Sequence, residues 1–213
     1  MLRVNEVTKA FLGRGVLDGI DLACGPGEVC AILGANGSGK STLLRIVSGM
    51  IEPDRGSVFI LGEALARGGI AARRHLGYVP DGLATLPDLL VRELMALVRS
   101  LKQPAPAAEQ SWLRWRDELG VEAVWHQRLG TLSFGQRKRV CTLAALIGDP
   151  WLLLFDEPSN GLDADGGERM LEIIRQRRSA GQATLFATHE RSFAERLDAR
   201  LFRLQAGKLM PAG

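Results

Sequence analysis

The feature that most constrains the fold of this chain is a glycine-rich segment at residues 34–41, which reads GANGSGKS. It follows an apolar, β-favouring run at residues 29–33 and precedes a helix-compatible stretch at residues 41–48. The pattern G-x-x-x-x-G-K-[ST] between a strand and a helix is the context of a phosphate-binding loop. A glycine-rich turn without a ligand is the alternative, and the neighbouring strand and helix weigh against it.

Each residue type in this loop has a physical role in binding phosphate. Glycines allow backbone N–H groups to curl around phosphate oxygens, and the following helix directs its positive N-terminal end at them. We expect Lys40 to reach the β- and γ-phosphates of a nucleotide and the Ser41 hydroxyl to ligate Mg²⁺.

An acidic pair follows a second apolar run, Leu152-Leu153-Leu154-Phe155. Asp156 ends this predicted strand, where an acid faces the ligand crevice of a parallel sheet and is able to hold Mg²⁺. Glu157 is the natural candidate to polarise an attacking water. Two acids that merely cap a loop are the alternative, which is disfavoured because the phosphate-binding loop lies upstream at the same kind of sheet edge.

The chain divides into three stretches. Residues 1 to about 80 are rich in predicted strands, and from residue 132 onward strands alternate with helices, which implies a parallel sheet covered on both faces. Between them lies a predicted helical insertion at about 84–131. Its helices are expected at about 88–101 and 108–119, with a proline-containing break between them and Gly120 as the final cap. We expect a single α/β domain, with residues 1–83 and 132–213 as its core.

Composition favours one compact domain in a reducing compartment. The chain has 213 residues and a net charge of +3, too mild to indicate nucleic acid. Its short basic clusters, at 73–74, 137–139 and 175–178, are for the most part expected to be solvated helix faces. Cys24, Cys30 and Cys141 show neither a CxxC spacing nor a histidine partner pattern. Apolar stretches stay well short of the ~18 residues of a membrane span, so we expect a cytoplasmic protein.

Three further motifs identify a subclass of phosphate-loop proteins. Residues 132–136 read LSFGQ and lie shortly before Asp156, residues 159–163 read SNGLD, and Thr188-His189 follows a predicted strand. This ordered set resembles the ATP-binding-cassette (ABC) ATPases over nearly the whole chain. LSFGQ resembles their signature motif, SNGLD the D-loop, and His189 the switch histidine. The resemblance implies a P-loop NTPase core of parallel sheet, an N-terminal antiparallel β subdomain and a helical insertion subdomain.

The resemblance also implies a site for ATP and Mg²⁺ that two copies of the chain, packed head to tail, complete for each other. Glu157 and His189 would be the catalytic residues, and Ser41, Asp81 and Asp156 the metal ligands. The residues expected to contact ATP are Phe11, stacked on adenine, the loop residues Gly34, Ala35, Asn36, Gly37, Ser38, Gly39, Lys40, Ser41 and Thr42, and Ser133, Gly135, Gln136 and Asp163. A core position is the alternative for Phe11, since a phenylalanine in a strand-rich region is more often buried.

The sequence departs from the family pattern at two positions. Asp81 stands where the family usually has glutamine, and it brings a further negative charge to a site that already holds two acids. It would either ligate Mg²⁺ or weaken the coupling between nucleotide and partner. Phe134 replaces a common second glycine of the signature motif, while Ser133 and Gly135, the expected phosphate neighbours, are kept.

The resemblance implies membrane proteins as partners. By resemblance, this is the ATP-hydrolysing subunit of a transporter, peripheral on the inner face of the membrane, with separate transmembrane subunits and a second, identical ATP-binding subunit. Its compactness, Asp81 and Phe134 resemble exporter-type subunits. The tryptophans of the insertion, Trp112, Trp115 and Trp125, either form a groove for helices of the membrane partner or are ordinary core.

Two other functions stay open from the sequence. One is an ABC ATPase that acts on nucleic acid or the ribosome, although such proteins usually have paired cassettes, a long coiled coil or a basic arm. The other is a module that binds ATP with little hydrolysis, which Asp81 keeps open and Glu157 and His189 disfavour.

Overall fold

The computed structural model describes residues 1–65, 70–81 and 86–212. In these ranges the chain forms ten strands and seven α-helices. The strands are β1 (Leu2–Phe11), β2 (Arg14–Cys24), β3 (Val29–Leu33), β4 (Arg55–Ile60), β5 (Glu63–Ala64), β6 (Leu76–Val79), β7 (Leu152–Asp156), β8 (Ala183–Thr188), β9 (Arg200–Gln205) and β10 (Lys208–Pro211). The helices are α1 (Lys40–Val47), α2 (Ile70–Arg74), α3 (Val91–Lys102), α4 (Pro106–Glu118), α5 (Phe134–Leu146), α6 (Ala164–Ser179) and α7 (Arg191–Glu195).

The central sheet has six strands in the order β10-β9-β3-β8-β7-β6. Strands β9, β3, β8, β7 and β6 are parallel, and β10 pairs antiparallel with β9 at one edge. A second, antiparallel sheet has the order β2-β1-β4-β5. The predicted parallel core and N-terminal antiparallel subdomain are both confirmed.

The central sheet is buried on both faces because its strands are apolar at consecutive positions. In β7, Leu153 and Phe155 pack on one side, with the helical insertion, α5 and α6. Leu152 and Leu154 point to the opposite side, where α1 and the antiparallel sheet cover them. Two cores therefore lie on either side of one sheet, as the two-residue period of a strand requires.

The predicted helical insertion contains α3, α4 and two short 3₁₀-helices, Val121–Val124 and Leu129–Thr131. Helix α3 begins three residues later than predicted because Leu90 is in extended conformation and bridges Arg128. The Val91 N–H then donates to the Gln127 carbonyl, a tertiary contact that the helical period does not encode. The predicted boundary near residue 84 falls outside the described residues.

The tryptophans of the insertion serve mainly as its core. Trp112 and Trp115 are 4% and 6% exposed and belong to the same cluster as Phe155 of the central sheet. Trp125 is half-buried and stacks on Trp112, with ring centroids 6.1 Å apart. The structure therefore favours ordinary burial for Trp112 and Trp115 over a docking groove made of tryptophans.

Two of the basic clusters contain a buried cation, which corrects the expectation of solvated helix faces. Lys138 of α5 is 0% exposed and Arg177 of α6 is 1% exposed. The Arg177 guanidinium donates to the Pro150 carbonyl at 2.7 Å. In the part of the chain that the structure describes, no helix is both long and apolar enough to cross a membrane.

Candidate functional site

The predicted phosphate-binding loop, the acidic pair, His189 and Asp81 meet at one edge of the central sheet. Because β3, β8, β7 and β6 are parallel neighbours, their carboxyl ends lie side by side. The loop before α1, His189, the acidic pair and Asp81 follow these four strands. They border an open pocket of about 710 Å³, which is lined by Asn36 to Thr42, Asp81, Asp156 and Glu157 together with Arg14, Gly15, Val16, Ala206 and Gly207. This is the ligand crevice expected for an open α/β sheet.

The glycine-rich loop connects β3 to α1 as predicted. Gly39 precedes the helix with φ 106, a conformation that L side chains rarely adopt, and a Cβ there would lie 3.1 Å from Val16. The Lys40 ammonium is 6% exposed and donates to the carbonyls of Gly34 at 2.8 Å and Ala35 at 3.3 Å. A buried cation and the N-terminus of α1 therefore share the floor of the pocket, where they favour a bound anion.

Asp156 is a buried acid at the end of β7. It is 3% exposed, and its Oδ1 atom has no hydrogen-bond partner among the described residues. Burial raises the pKa of the Asp156 carboxyl, a hydrogen bond from Ser41 opposes this, and the charges of Asp81 and Glu157 add to the increase. A buried, unsatisfied carboxylate oxygen beside a serine hydroxyl fits a divalent cation such as Mg²⁺.

Glu157 is positioned by contacts from β8, from the residue directly after β8 and from α1. Its backbone is in the left-handed region, with φ 52, and its N–H donates to the Ala187 carbonyl at 2.9 Å. Its Oε2 atom accepts a hydrogen bond from the Thr188 hydroxyl at 3.1 Å and lies 3.0 Å from Nδ1 of His189. Its Oε1 atom lies 3.8 Å from the Lys40 ammonium. A non-glycine residue in this conformation is a strained arrangement of the kind found at functional sites.

His189 and Glu157 are thus brought together as predicted. The His189 side chain is 57% exposed. Thr188 was not among the predicted site residues, although its position directly before His189 would have placed its hydroxyl at the same sheet edge.

Asp81 lies at the same edge, where its carboxylate contacts Asn160 and Lys138. The Asn160 side-chain amide donates to its Oδ1 atom at 2.9 Å, and the Lys138 ammonium lies 3.8 Å from the same atom. Lys138 also donates to the carbonyls of Asp156 at 3.1 Å and Glu157 at 2.6 Å. Burial lowers the pKa of Lys138, while the negative charges of the three acids oppose the decrease.

The signature residues cap a helix outside the phosphate pocket. Ser133 is exposed and is the N-cap of α5, where its hydroxyl accepts from the Gln136 N–H at 3.2 Å. The Gln136 side chain accepts from the Ser133 N–H at 2.9 Å, which completes a capping box. Asp163 similarly caps α6 through the Gly166 N–H at 2.8 Å. An exposed helix N-terminus with a serine cap is suited to an anion presented from outside the chain.

Phe11 lies at the β1–β2 hairpin, 43% exposed, and is not a core residue. It pairs with Arg14, which lines the pocket, and the Lys9 ammonium lies 5.4 Å from its ring centroid. Its exposure leaves the predicted stacking on adenine physically open.

One cysteine cluster was not evident from sequence spacing. Ligand atoms of Cys24, Glu28 and Cys30 lie within 4.8 Å of one another. Glu28 is already bound by the Gly25 N–H at 2.7 Å and by Arg200 at 3.0 Å. A hydrogen bond with Cys30 and burial both raise the pKa of the Cys24 thiol, which disfavours the thiolate that a metal requires.

Comparison with known proteins agrees with this geometry. The profile of the ABC transporter family matches residues 17–160. The Nod factor export ATP-binding protein I of Burkholderia pseudomallei (strain 1710b) is 34% identical over 98% of this chain and 69% of its own length. The lipoprotein-releasing system ATP-binding protein LolD of Pseudomonas syringae pv. tomato is 35% identical over 92% of this chain and 89% of its own length.

Solved structures share the whole fold. An ATP-binding subunit of an ABC transporter superposes with a TM-score of 0.92 at 28% identity, over 100% of this chain and 89% of that chain. The cassette MJ0796, solved as a dimer in a post-hydrolysis state with ADP and Pi, gives a TM-score of 0.85 at 25% identity, over 100% of both chains.

Proposed function

The chain belongs to the ABC transporter family of ATP-binding subunits, and we propose that it hydrolyses ATP as one half of a head-to-tail pair that powers a membrane transporter. The observation that carries the proposal is the environment of Glu157. Its carboxylate lies between the Lys40 ammonium, the Thr188 hydroxyl and the His189 ring, at the mouth of the phosphate-binding loop. This arrangement suits a residue that orients water beside a phosphate.

Different groups of the chain would bind the phosphates, the base and the Mg²⁺ ion of the nucleotide. The backbone N–H groups of residues 34–42 and the Lys40 ammonium would hold the phosphates, and Phe11 would stack on the base. Ser41 and Asp156, with its unsatisfied Oδ1 atom, would hold Mg²⁺. Bound there, Mg²⁺ would neutralise charge on the phosphate oxygens and so lower the barrier to attack by water on phosphorus. Asp81 is a proposed further ligand, through the Oδ2 atom that its contacts with Asn160 and Lys138 leave free.

Glu157 would accept a proton from the attacking water at one of its carboxylate oxygens. The Thr188 hydroxyl and the His189 ring both contact Oε2, so Oε1 is the oxygen directed toward Lys40 and the phosphates. His189, more than half exposed, would contact the γ-phosphate while it fixes the Glu157 carboxylate. The Glu157–His189 pair is therefore proposed as the catalytic unit of each chain.

A second copy would complete the site. Four predicted site residues lie at exposed helix N-termini outside the chain's own phosphate pocket, which supports a role in the site of a neighbouring copy: Ser133, Gly135, Gln136 and Asp163. The dimeric form in which the related cassette MJ0796 was solved supports the same arrangement. ATP between the copies would hold them together, and its hydrolysis would let them separate.

Transmembrane subunits are the proposed partners, on the inner face of the membrane. An apolar groove of about 360 Å³ between β6, α3 and α5 offers a docking place, lined in part by Tyr78, Pro80, Leu94, Val98 and Cys141. Export is the proposed direction, supported by Asp81 and Phe134 and by the relatives named for Nod factor export and lipoprotein release.

The test compares wild type with Glu157→Gln, which removes the proposed base and preserves the side-chain size. We expect wild type to hydrolyse ATP, and Glu157→Gln to lose turnover by about 10²-fold or more while it forms an ATP-dependent dimer in size-exclusion chromatography. Glu195→Gln, an exposed carboxylate on α7, is the matched control and should behave as wild type. Binding of ATP by wild type without turnover would instead identify an ATP-binding module. In a pull-down with the wild-type chain, recovery of ribosomes without an integral membrane protein would contradict the transporter assignment.

A further inference from the structure

Lys138 is a buried cation that the proposed mechanism does not use. Its side chain is 0% exposed, although it lies in a run of three basic residues on α5. An ammonium group has three N–H donors and no acceptor, and its burial is costly unless those donors are satisfied and the charge is balanced. The contacts that satisfy these donors and balance this charge therefore indicate the role of Lys138.

Those contacts all belong to the acidic edge of the site. Two donors bind the carbonyls of Asp156 and Glu157, at 3.1 Å and 2.6 Å. The balancing charge is the Asp81 carboxylate, whose Oδ1 atom is 3.8 Å away and also accepts from Asn160. Lys138 thus links α5, the loop after β7 and the segment after β6.

The Glu157 backbone is the part of this edge that most needs support. Its φ of 52 places it in the left-handed region, which non-glycine residues rarely adopt, so surrounding contacts must hold it. The N–H side is held by the Ala187 carbonyl, and the carbonyl side by the Lys138 ammonium. Without Lys138, the one hydrogen bond that the described residues still give the Glu157 carbonyl is the longer one from the Asn160 N–H, at 3.2 Å.

We propose that Lys138 is a positioning residue, which fixes the turn at Asp156 and Glu157 through hydrogen bonds to their carbonyls. The burial of its charge at this turn depends on the Asp81 carboxylate. Movement of Asp81 away from Lys138 would remove the balancing carboxylate and loosen the turn that carries the acidic pair. Because Lys138 lies in the helix that Ser133 caps, the same cation anchors the end of α5 that would serve a second copy. This inference rests on the proposed function and names Asp81 as a partner of Lys138 rather than solely a metal ligand.

The test uses the full chain with Lys138→Met, Asp81→Asn and the double variant. Lys138→Met keeps the length of the side chain and removes its donors and charge. We expect a decrease in kcat of about tenfold or more with a change in KM below about threefold, because the nucleotide-binding loop is untouched. We expect the effect of Asp81→Asn on kcat to become small in the Lys138→Met background, because coupled residues are not additive.

Arg177→Met is the matched control. Arg177 is an equally buried cation that donates to a backbone carbonyl, that of Pro150, away from the site. Arg177→Met should leave kcat unchanged where both variants are folded, as checked by their melting temperatures. A control with the same kcat loss as Lys138→Met, or independent effects of Asp81 and Lys138, would overturn the proposal.

Hydrogen–deuterium exchange of the nucleotide-free protein separates failure of this inference from failure of the proposed function. Peptides that contain residues 156–161 should exchange faster in Lys138→Met than in wild type, and not in Arg177→Met. A wild-type protein without turnover would refute the proposed hydrolysis. Faster exchange confined to Lys138→Met would still show that Lys138 fixes the turn, and unchanged exchange in residues 156–161 would refute that role whether or not the protein hydrolyses ATP.

Discussion

Asp156 is a residue whose proposed role in binding Mg²⁺ opposes the stability of the fold, because the role requires a charged carboxylate in a buried position. It brings a carboxylate into a position that is 3% exposed, where burial raises its pKa. An acid whose pKa is raised on folding costs stability once the pH exceeds its unfolded value of about 3.9, and the cost is complete above the folded value. The raised pKa therefore predicts that the Asp156 charge destabilises the nucleotide-free fold at neutral pH.

Replacing this acid should therefore stabilise the nucleotide-free protein. We expect Asp156→Asn to gain about 1 kcal/mol at pH 7, or about 2–4 °C in melting temperature for a chain of this size. The gain should shrink as the pH falls from 7 to below the unfolded pKa of about 3.9, because protonation removes the charge whose burial is costly. Mg²⁺-dependent stabilisation by ATP should be lost. Thermal melts across this pH range, with and without MgATP, measure both effects. A variant less stable than wild type at pH 7 would show that the contacts of the carboxylate outweigh its burial.

Gly161 and Phe134 form a second residue-scale pair, in which the glycine makes room for the aromatic ring. Gly161 has φ 72, and a Cβ at this position would overlap the Phe134 ring. We expect Gly161→Ala to destabilise the protein by about 2–3 kcal/mol, through a strained backbone and a displaced ring. Adding Phe134→Ala should restore the part that is due to the ring, as measured by urea unfolding.

Gly181 provides the control for this pair. Its φ is 76, and a Cβ there would meet no atom within 4 Å, so Gly181→Ala reports the backbone strain alone. Equal losses for the two alanine variants would show that Phe134 moves aside without cost. A larger loss at Gly161 would explain how this chain accommodates phenylalanine where its family commonly has glycine.

At the scale of single elements, helix α5 connects capping with the proposed contact to a second copy. Ser133→Ala should cost about 1 kcal/mol, because it removes the hydroxyl that caps the Gln136 N–H. Ser133→Asp should keep the cap, since aspartate caps helices as well as serine does. The aspartate would, however, repel the γ-phosphate that a second copy presents.

These two variants separate structure from function at one position. In the Glu157→Gln background, Ser133→Asp should melt close to its parent and fail to dimerise with ATP. Ser133→Ala should melt lower and dimerise more weakly. Analytical ultracentrifugation with and without ATP decides the matter, and an ATP-dependent Ser133→Asp dimer would rule out a phosphate contact at this cap.

Sequence reasoning succeeded for elements whose chemistry is local. The loop before α1 and the strand that ends at Asp156 could be predicted, because each motif contains both its fold signal and its functional groups. The burial of Lys138 could not, since its basic neighbours give α5 the appearance of a solvated helix. Its partners come from two other segments, and the Asp81–Asn160 contact spans 79 residues. The start of α3 was missed for a similar reason, because residue 127 lies across the insertion.

At the scale of the whole molecule, the helical insertion and the central sheet share one core. Trp112 and Trp115 belong to the same buried cluster as Phe155 and Phe186 of the sheet. A subdomain that buries its apolar face against its neighbour loses that burial if the two separate, so the two parts should unfold together. This bears on the prediction that residues 1–213 form a single domain.

The positions of the tryptophans allow the unfolding of the insertion to be compared with that of the whole chain. Three of the four lie in the insertion, and the fourth, Trp151, lies just before β7 and packs on the opposite core. In Trp151→Phe, tryptophan fluorescence reports the insertion alone, while far-UV circular dichroism reports the whole chain. We expect the two urea transitions of this variant to coincide in midpoint and slope. A fluorescence transition at lower urea, with a smaller slope, would mean that the insertion opens by itself, and the chain would then contain two cooperative units on one sheet.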